Sequence, residues 1–331
     1  MTTFWLTLII PVRFKDLEQA AFFETVLQSI EEVTGLQETT KVLVVDNHPI
    51  PNTALQEVIK RHSKIHLTYT HESRPGAGQA RNHGVAIADT PWVAFIDADE
   101  TLPPHWLSVY HSTLAKQGWK ENLVLYGACY PDFPLIPRWL SDDLEWLFGG
   151  TRRTQHSSSR ATRPVRQLFA GNFLMQRQAF LKEGGFLPVL PRGEDSELGL
   201  RLECLGYRGI FLPTAFVIHH IEASRLTPKA IGRLQYQMEV FKAFILLYHF
   251  YQTPSLRARL SLWKQQLRRW PSKIKNTWHR PGLSLLQRFV STWVWLHGVV
   301  GVSHALLWKY RYWIPTMMFY KRHRCLEKED A

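Results

Sequence analysis

Two carboxylates follow a fully apolar, strand-like run of this chain. The run from Trp92 to Ile96 contains no charged side chain, and Asp97 and Asp99 follow it two positions apart. An apolar run without polar alternation is typical of a strand buried on both faces, and ligands bind at the carboxyl ends of such strands. Mg²⁺ and Mn²⁺ are held by one or two carboxylates together with phosphate oxygens of a substrate. The pair therefore predicts a metal–diphosphate site, with a solvated turn as the ordinary alternative.

Alternating strand and helix patterns place this pair within a parallel sheet. Helical spacing from Asp16 to Val33 separates two apolar runs, 6–13 and 41–47, and this strand–helix–strand order is the unit of an open parallel α/β sheet. A second predicted helix, at about 53–62, leads to a short strand at 65–70, and a glycine turn at 74–84 then opens another helix. Asp46 ends the second strand, where it could also be a turn or helix-capping residue.

Eight short blocks of the sequence occur in an informative order. They are Ile9 to Val12, Val44 to Asn47, Pro75 to Gly84, Trp92 to Asp99, Ala170 to Asn172, Gly184 to Phe186, Gly193 to Leu198 and Val217 to His220. In this order they resemble the nucleotide-sugar-binding half of a family 2 glycosyltransferase with the GT-A fold. The resemblance runs from Thr7 to about His220, about two thirds of the chain. It implies an open, mostly parallel sheet flanked by helices.

The resemblance also implies donor-binding roles. Pro11 and Val12 would form the wall over the nucleoside, and Asp46 would accept a hydrogen bond from the base. Arg81 would lie beside the base or the diphosphate, and Asp97 would face the ribose and the metal. The family usually has an aromatic residue after the position of Val12, whereas this chain has Arg13 before Phe14. The implied donor is a UDP- or GDP-sugar.

Metal ligands and a catalytic base are implied in the same way. Asp99 would bind Mn²⁺ or Mg²⁺ directly, with Asp97 beside it and His219 or His220 completing the shell. Asp195 matches the family's general base, and Glu194 is the next candidate. An inverting transfer needs one carboxylate to take the acceptor's proton, while a divalent cation offsets charge on the leaving diphosphate. A charged first helical turn, favoured by the helix dipole, is the structural alternative for Glu194 and Asp195.

Charge and tryptophan content divide the chain near residue 222. Residues 1–222 have 21 Lys and Arg against 24 Asp and Glu, whereas residues 223–331 have 19 against 4, a net charge of +15. Seven of the 13 tryptophans lie in this second part. We therefore expect a catalytic domain at 1–222, with its nucleotide-sugar half at about 1–100 and its acceptor half at about 101–222. Residues 223–331 would form a basic helical tail.

Basic residues mixed with tryptophan favour an anionic membrane surface. Residues 289–308 contain no charged side chain, although several polar residues and glycines dilute the segment. An in-plane or protein-packed amphipathic helix, a single membrane span and a buried helix all remain open for it. We expect the enzyme at the cytoplasmic face of a membrane, held peripherally or by one weak C-terminal segment, with a glycan or lipid-linked acceptor.

Two other functions compete with this interpretation. The basic tail could follow a nucleic-acid backbone, but no recognition motif is present and the acidic first part would have no role, so no nucleic-acid partner is expected. A catalytically inactive relative serving as a scaffold is the other alternative, and the intact Asp97, Asp99 and Asp195 argue against it. The segment Gln266 to Trp270 matches the Gln-x-x-Arg-Trp pattern of processive synthases, but it lies 71 residues after Asp195 inside a basic run. A non-processive enzyme is therefore expected.

Overall fold

The computed structural model describes residues 4–305 except 15, 150–164, 166–167, 189, 191 and 251–255. The chain divides into two compact units, one formed by Met1–Asp132 with Arg153–His220 and the other by Phe133–Arg152 with Ile221–Ala331. Residues 133–152 thus belong to the second unit, although the sequence suggested the acceptor half of the first domain. The basic, serine-rich sequence of residues 152–166 predicts a mobile loop, and this stretch lies outside the described residues apart from Val165.

One eight-stranded sheet forms the first unit, in the order β3-β2-β1-β4-β7-β6-β8-β5. Strand β1 pairs in parallel with β2 and β4, β2 with β3, and β6 with β8. Strand β7 runs antiparallel to β4 and β6, and β5 runs antiparallel to β8. The predicted α/β class with a mostly parallel sheet is confirmed. The strands are Leu6–Val12 (β1), Thr40–Asp46 (β2), His66–His71 (β3), Trp92–Phe95 (β4), Glu100–Thr101 (β5), Leu123–Asp132 (β6), Phe173–Gln176 (β7) and Arg208–His220 (β8).

Both faces of this sheet are buried. Leu8 and Ile10 of β1 belong to one apolar cluster, while Ile9 belongs to another. This explains why the strand has no polar alternation, because successive side chains enter opposite cores. The helices of this unit are Leu17–Glu31 (α1), Leu36–Thr39 (α2), Thr53–Arg61 (α3), Ala77–Ile87 (α4), Trp106–Gln117 (α5), Arg177–Lys182 (α6) and Glu194–Cys204 (α7).

Helices and two short 3-10 segments, Glu145–Phe148 and Ala223–Arg225, build the described part of the second unit. The helices are Pro228–Phe250 (α8), Leu256–Leu267 (α9), Trp270–His279 (α10) and Leu285–His304 (α11). Its core joins residues of the 133–148 segment to the helices, as Leu144 and Phe148 lie in one cluster with Ile231, Trp270 and Trp295.

Helix α11 begins at a capping box. The Ser284 side chain accepts a hydrogen bond from the Gln287 backbone amide, and the Gln287 side chain accepts one from the Ser284 backbone. Within the ranges that the structure describes, no helix has the length and hydropathy needed to cross a membrane. Residues 306–308, the end of the segment that the sequence left open as a span, lie outside those ranges.

Candidate active site

Asp97 and Asp99 lie in a tight turn between β4 and β5, at the carboxyl end of β4. The turn is held by the next residue, Glu100, whose carboxyl oxygen Oε2 accepts the Asp97 backbone N–H at 2.8 Å. Glu100 is fully buried and stands opposite His219 in the β5–β8 pairing. The side chains of Asp97 and Asp99 are partly exposed, so both carboxylates can reach a ligand.

The ring of His219, rather than that of His220, lies beside the Asp99 carboxylate. The His219 Nε2 atom is 3.2 Å from Asp99 Oδ2, whereas the His220 ring bonds to Thr101 Oγ1 at 2.9 Å and Asp132 Oδ2 at 3.2 Å. Burial lowers the pKa of His220, although Asp132 opposes this effect. Of the two histidines that the sequence left open, the structure therefore places His219 at the carboxylate turn.

A buried guanidinium joins this turn to the start of α7. Arg81, on α4, donates from Nη2 to Asp97 Oδ1 and from Nη1 to Glu194 Oε1 at 3.1 Å. Burial alone would lower the pKa of Arg81, but the carboxylates of Asp97 and Glu194 outweigh it and raise the pKa above its ordinary value. A planar guanidinium suits this role because it presents donors in two directions at once.

Glu194 and Asp195 form the first turn of α7, after Gly193 in a left-handed conformation with φ 76°. The Asp195 carboxylate accepts the Ser196 backbone N–H at 2.7 Å and the Ala170 N–H at 3.4 Å. Burial raises the pKa of both acids, and their neighbouring carboxylates add to the rise, while Arg81 opposes it. A carboxylate with a raised pKa is a stronger base, as a group that removes a hydroxyl proton should be.

Asn82 fixes the turn that precedes α7. Its side-chain oxygen accepts the Phe186 N–H at 2.9 Å, and its amide donates to the Phe186 carbonyl at 2.8 Å. Gly185 has a φ of 61°, and a Cβ there would lie 2.6 Å from the Asn82 oxygen. Arg201, paired with Glu197 inside α7, donates to the Gly185 carbonyl at 2.6 Å. Neighbouring residues of α4, Arg81 and Asn82, thus both hold the chain around the start of α7.

Asp46 is fully buried, and both its carboxylate oxygens are bonded within the protein. Oδ1 accepts the backbone and ring N–H groups of His48, at 3.0 and 2.5 Å, and Oδ2 accepts Asn52 N–H and Tyr69 O–H, each at 2.7 Å. Burial would raise the pKa of Asp46, but these bonds outweigh it and lower the pKa. The predicted contact between Asp46 and the base remains a prediction, and the structure shows a carboxylate that shapes the loop after β2.

Pro11 and Val12, the predicted wall of the nucleoside site, differ in exposure. Val12 is fully buried in the core, and its carbonyl accepts the Asn47 N–H at 2.8 Å. Pro11 keeps part of its surface accessible. Their contact with a nucleoside also remains a prediction. Asn47 in turn bonds through its side-chain oxygen to the Gly76 N–H at 2.9 Å, which ties β2 to the glycine turn before α4.

Glu100, Gly171 and Asn172 are site residues to which the sequence analysis gave no role. Burial raises the pKa of Glu100 well above its ordinary value, and the charges of Asp97 and Asp99 add to the rise. A Cβ on Gly171 would lie 2.4 Å from the Glu100 carboxyl, so only glycine fits above it. The available signal was an acid directly after Asp-x-Asp and a glycine at the centre of the Ala170 to Asn172 block.

The buried side chain of Asn172 forms hydrogen bonds with strands β6 and β8 and with helix α5. Its amide donates to the carbonyls of Ala128 and Ala215, at 2.8 and 2.7 Å. Its oxygen accepts from Trp106 Nε1 at 3.0 Å and from the Tyr110 hydroxyl at 2.8 Å. These bonds satisfy the Ala128 and Ala215 carbonyls where the β6–β8 pairing is irregular, near Gly127. Asn172 is fully buried, so it stabilises the strands and does not face a ligand.

The donor atoms at the carboxylate turn suit a metal with few protein ligands. Among the described residues, no three His, Cys, Asp or Glu side chains are arranged to hold a metal ion. Asp97 bonds to Arg81 through Oδ1, and its place in the predicted ligand set with Asp99 and His219 remains a prediction. Asp99 with His219 nevertheless fits Mg²⁺ or Mn²⁺, which commonly take one or two protein ligands and fill the rest with phosphate oxygens and water.

Known proteins resemble both the sequence and the fold. A family model described as glycosyl transferase family 2 matches residues 7–177. The succinoglycan biosynthesis protein ExoM of Rhizobium meliloti (strain 1021) is 26% identical over 192 residues, which cover 56% of this chain and 58% of that protein. The chain thus spans a little over half the length of this curated relative.

Two solved glycosyltransferases have a similar fold. The mannosyltransferase PcManGT from Pyrobaculum calidifontis, in complex with GDP-Man and Mn²⁺, aligns over 92% of this chain and 87% of its own, with 17% identity and a TM-score of 0.58. GalNAc-T7 with UDP, GalNAc and Mn²⁺ aligns over 94% and 58%, with 12% identity and a TM-score of 0.54. At these identities the likeness concerns the fold alone. The sheet with its flanking helices resembles GT-A glycosyltransferases, as the motif order implied.

Proposed function

The chain belongs to glycosyl transferase family 2, and from this premise we propose that it transfers one sugar from a UDP- or GDP-sugar to a glycan or lipid-linked acceptor, with inversion at the anomeric carbon. One observation carries the proposal. The carboxylate turn at Asp97 and Asp99 and the acidic start of α7 are joined through Arg81, which bonds to both. A donor-binding group and a candidate base thus share one site.

On the donor side, Asp99 and His219 would hold Mn²⁺ or Mg²⁺ with the diphosphate of the nucleotide sugar. A divalent cation there would offset the negative charge that develops on the departing diphosphate. Arg81 keeps Asp97 in place, and its buried positive charge lies close to where that diphosphate would sit. The PcManGT and GalNAc-T7 structures, which contain nucleotide or nucleotide sugar with Mn²⁺, support this donor class.

On the acceptor side, Asp195 would take the proton of the attacking hydroxyl. Its pKa is raised by burial, and its position at the start of α7 lies one residue from Glu194, which Arg81 holds. Inversion follows if the hydroxyl attacks the anomeric carbon on the face opposite the leaving diphosphate. Glu194 is the second candidate, although its bond to Arg81 makes it a poorer acceptor of a proton.

A polysaccharide acceptor is supported by the likeness to ExoM, a succinoglycan biosynthesis protein. We also propose a single addition rather than processive synthesis. The segment that matches Gln-x-x-Arg-Trp lies at the α9–α10 junction, where Gln266 and Trp270 are buried in the second unit. Burial in a helical core explains these two residues without a role in chain translocation. We place the reaction at the cytoplasmic face of a membrane, where nucleotide sugars are available.

The decisive experiment measures binding of UDP and GDP by calorimetry, with and without Mn²⁺, in the parent and in Asp99→Ala. We expect Mn²⁺-dependent binding of one nucleotide in the parent and its loss in the variant, with an unchanged circular dichroism spectrum. Asp89→Ala is a matched control, since this exposed aspartate pairs with Lys41 on the surface. Normal Mn²⁺-dependent binding by Asp99→Ala would refute the metal assignment. Salt-sensitive binding of RNA without any nucleotide binding would favour the nucleic-acid alternative.

A further inference from the structure

Helix α11 presents an exposed apolar stripe along its length. The stripe is formed by Leu285, Leu286, Phe289, Trp293, Leu296 and Val300, whose exposed fractions range from 39% for Trp293 to 67% for Leu285. At 3.6 residues per turn these six positions fall within an arc of about 100°. They account for six of the eleven large hydrophobic side chains that are exposed among the described residues. The stripe is therefore one continuous apolar surface rather than scattered side chains.

The opposite face of the same helix packs into the second unit. Val294, Trp295 and Val302 are buried there. A Cβ at Gly298 would lie 2.3 Å from the Trp270 ring, and one at Gly301 would lie 2.5 Å from the Tyr236 carbonyl. These contacts fix the rotation of α11 about its axis, so the stripe cannot turn inward without loss of this packing.

The stripe belongs to a strongly basic part of the chain. Residues 256–305 contain nine Lys and Arg and no Asp or Glu. Several of these cations are exposed on α9, on α10 and between them, including Arg257, Lys264, Arg268, Arg269 and Lys275. A membrane with anionic headgroups complements both features, because cations bind the headgroups while apolar side chains enter the boundary with the acyl chains.

We infer that the stripe docks α11 in the plane of an anionic lipid surface, with the helix lying on the bilayer. This inference does not depend on the proposed transfer reaction. A nucleic acid would satisfy the cations but would leave six apolar side chains in water. A second copy of the chain would cover the stripe but would bring two equally basic units together, which is unfavourable.

The test uses the full-length chain and sedimentation with two kinds of vesicle, phosphatidylcholine alone and phosphatidylcholine mixed with phosphatidylglycerol. The test variant is Leu296→Gln with Val300→Gln, which leaves the charge unchanged and keeps good helix formers. The matched control is Ile87→Gln with Leu181→Gln, two exposed apolar residues of the sheet unit. Thermal unfolding of all three proteins establishes that they are folded.

We expect the parent and the control to bind the anionic vesicles and to retain part of that binding at high salt. The test variant should bind about tenfold more weakly and lose the salt-resistant part, because salt screens charges but not insertion. Equal binding by parent and test variant would overturn the inference, as would binding that high salt abolishes completely in the parent. A parent that forms dimers, fails to bind vesicles and becomes monomeric in the test variant would assign the stripe to self-association instead.

Discussion

Replacing Arg81 with Met is expected to lower the free energy of unfolding of the sheet unit by about 3 kcal/mol. The guanidinium is 3% exposed and donates to both Asp97 and Glu194. Methionine fills a similar volume but removes every donor, which leaves Glu194, whose side chain is 14% exposed, beside Asp195 without its cation. Removal of one partner from a buried ion pair costs about 3 to 5 kcal/mol. We take the lower end because the Asp97 side chain is 29% exposed and keeps contact with water.

The assay is urea unfolding followed by circular dichroism, and its control is another Arg–Glu pair in the same unit. Arg61 bonds to Glu24 Oε1 at 2.6 Å, but its side chain is 66% exposed. Because exposed ion pairs contribute little, Arg61→Met should cost less than about 1 kcal/mol. Both variants remove one arginine, but Arg81→Met leaves Asp97 and Glu194 without it, whereas Arg61→Met leaves Glu24 at the surface. The two variants therefore differ in the burial of the arginine and in the number of acids left behind.

A double-mutant cycle then identifies the cause. Glu194→Gln in the Arg81→Met background should restore at least about 1 kcal/mol, because a neutral amide needs no cation beside it. The same substitution in the parent should be destabilising, since it weakens an existing pair. The reasoning is refuted if Arg81→Met costs no more than Arg61→Met, or if Glu194→Gln has the same effect in both backgrounds.

Three further predictions concern the surroundings of this ion pair. Gly171→Ala should abolish Mn²⁺-dependent nucleotide binding, measured by calorimetry, because the new Cβ would lie 2.4 Å from the Glu100 carboxyl that holds the Asp97 turn. Unchanged binding would show that the turn tolerates displacement of this carboxyl. Asp195→Asn should keep nucleotide affinity but lose transfer by a factor of about 10² to 10⁴, and turnover of this variant near the parent rate would move the base to Glu194. Transfer by the parent should fall at acid pH with an apparent pKa above the ordinary 3.8 of an aspartate, because burial raises the pKa of the base. Asn172→Leu should lower the free energy of unfolding in urea by about 3 kcal/mol or more, since it leaves two carbonyls and two donors buried without their partner. A decrease of less than about 1 kcal/mol would mean that water replaces the amide.

The sequence predicted the parts of the fold that depend on local pattern. Apolar runs identified β1, β2 and β4, since strands buried on both faces contain few polar side chains. Helical spacing located α1 and α3 to within two residues at each end. These elements depend on the pattern of residues that are close together in the chain, and that pattern can be seen in the sequence.

Contacts between distant segments were harder to predict. Arg81 meets Glu194 across 113 positions, and no local pattern shows that one guanidinium bonds to two separate acids. The family resemblance implied that Asp46 contacts the base, yet His48, Asn52 and Tyr69 already bond to both of its oxygens. The sequence indicates which residue types reach the site, but the protein groups that compete with a ligand for them become visible only in the structure.

The second unit is built from two segments that are far apart in the sequence, and this affects how it folds during synthesis. Residues 133–148 leave the ribosome long before Trp270, Val294 and Trp295, which complete their apolar core. Domains generally fold as units in order of synthesis, and unpartnered apolar segments favour aggregation during the delay. The apolar core around Phe133, Leu144 and Phe148 is therefore complete only after more than a hundred further residues have been made. A chain shortened after residue 220 would leave this segment permanently without its core, so point substitutions on α11 are a cleaner probe of the tail than its removal.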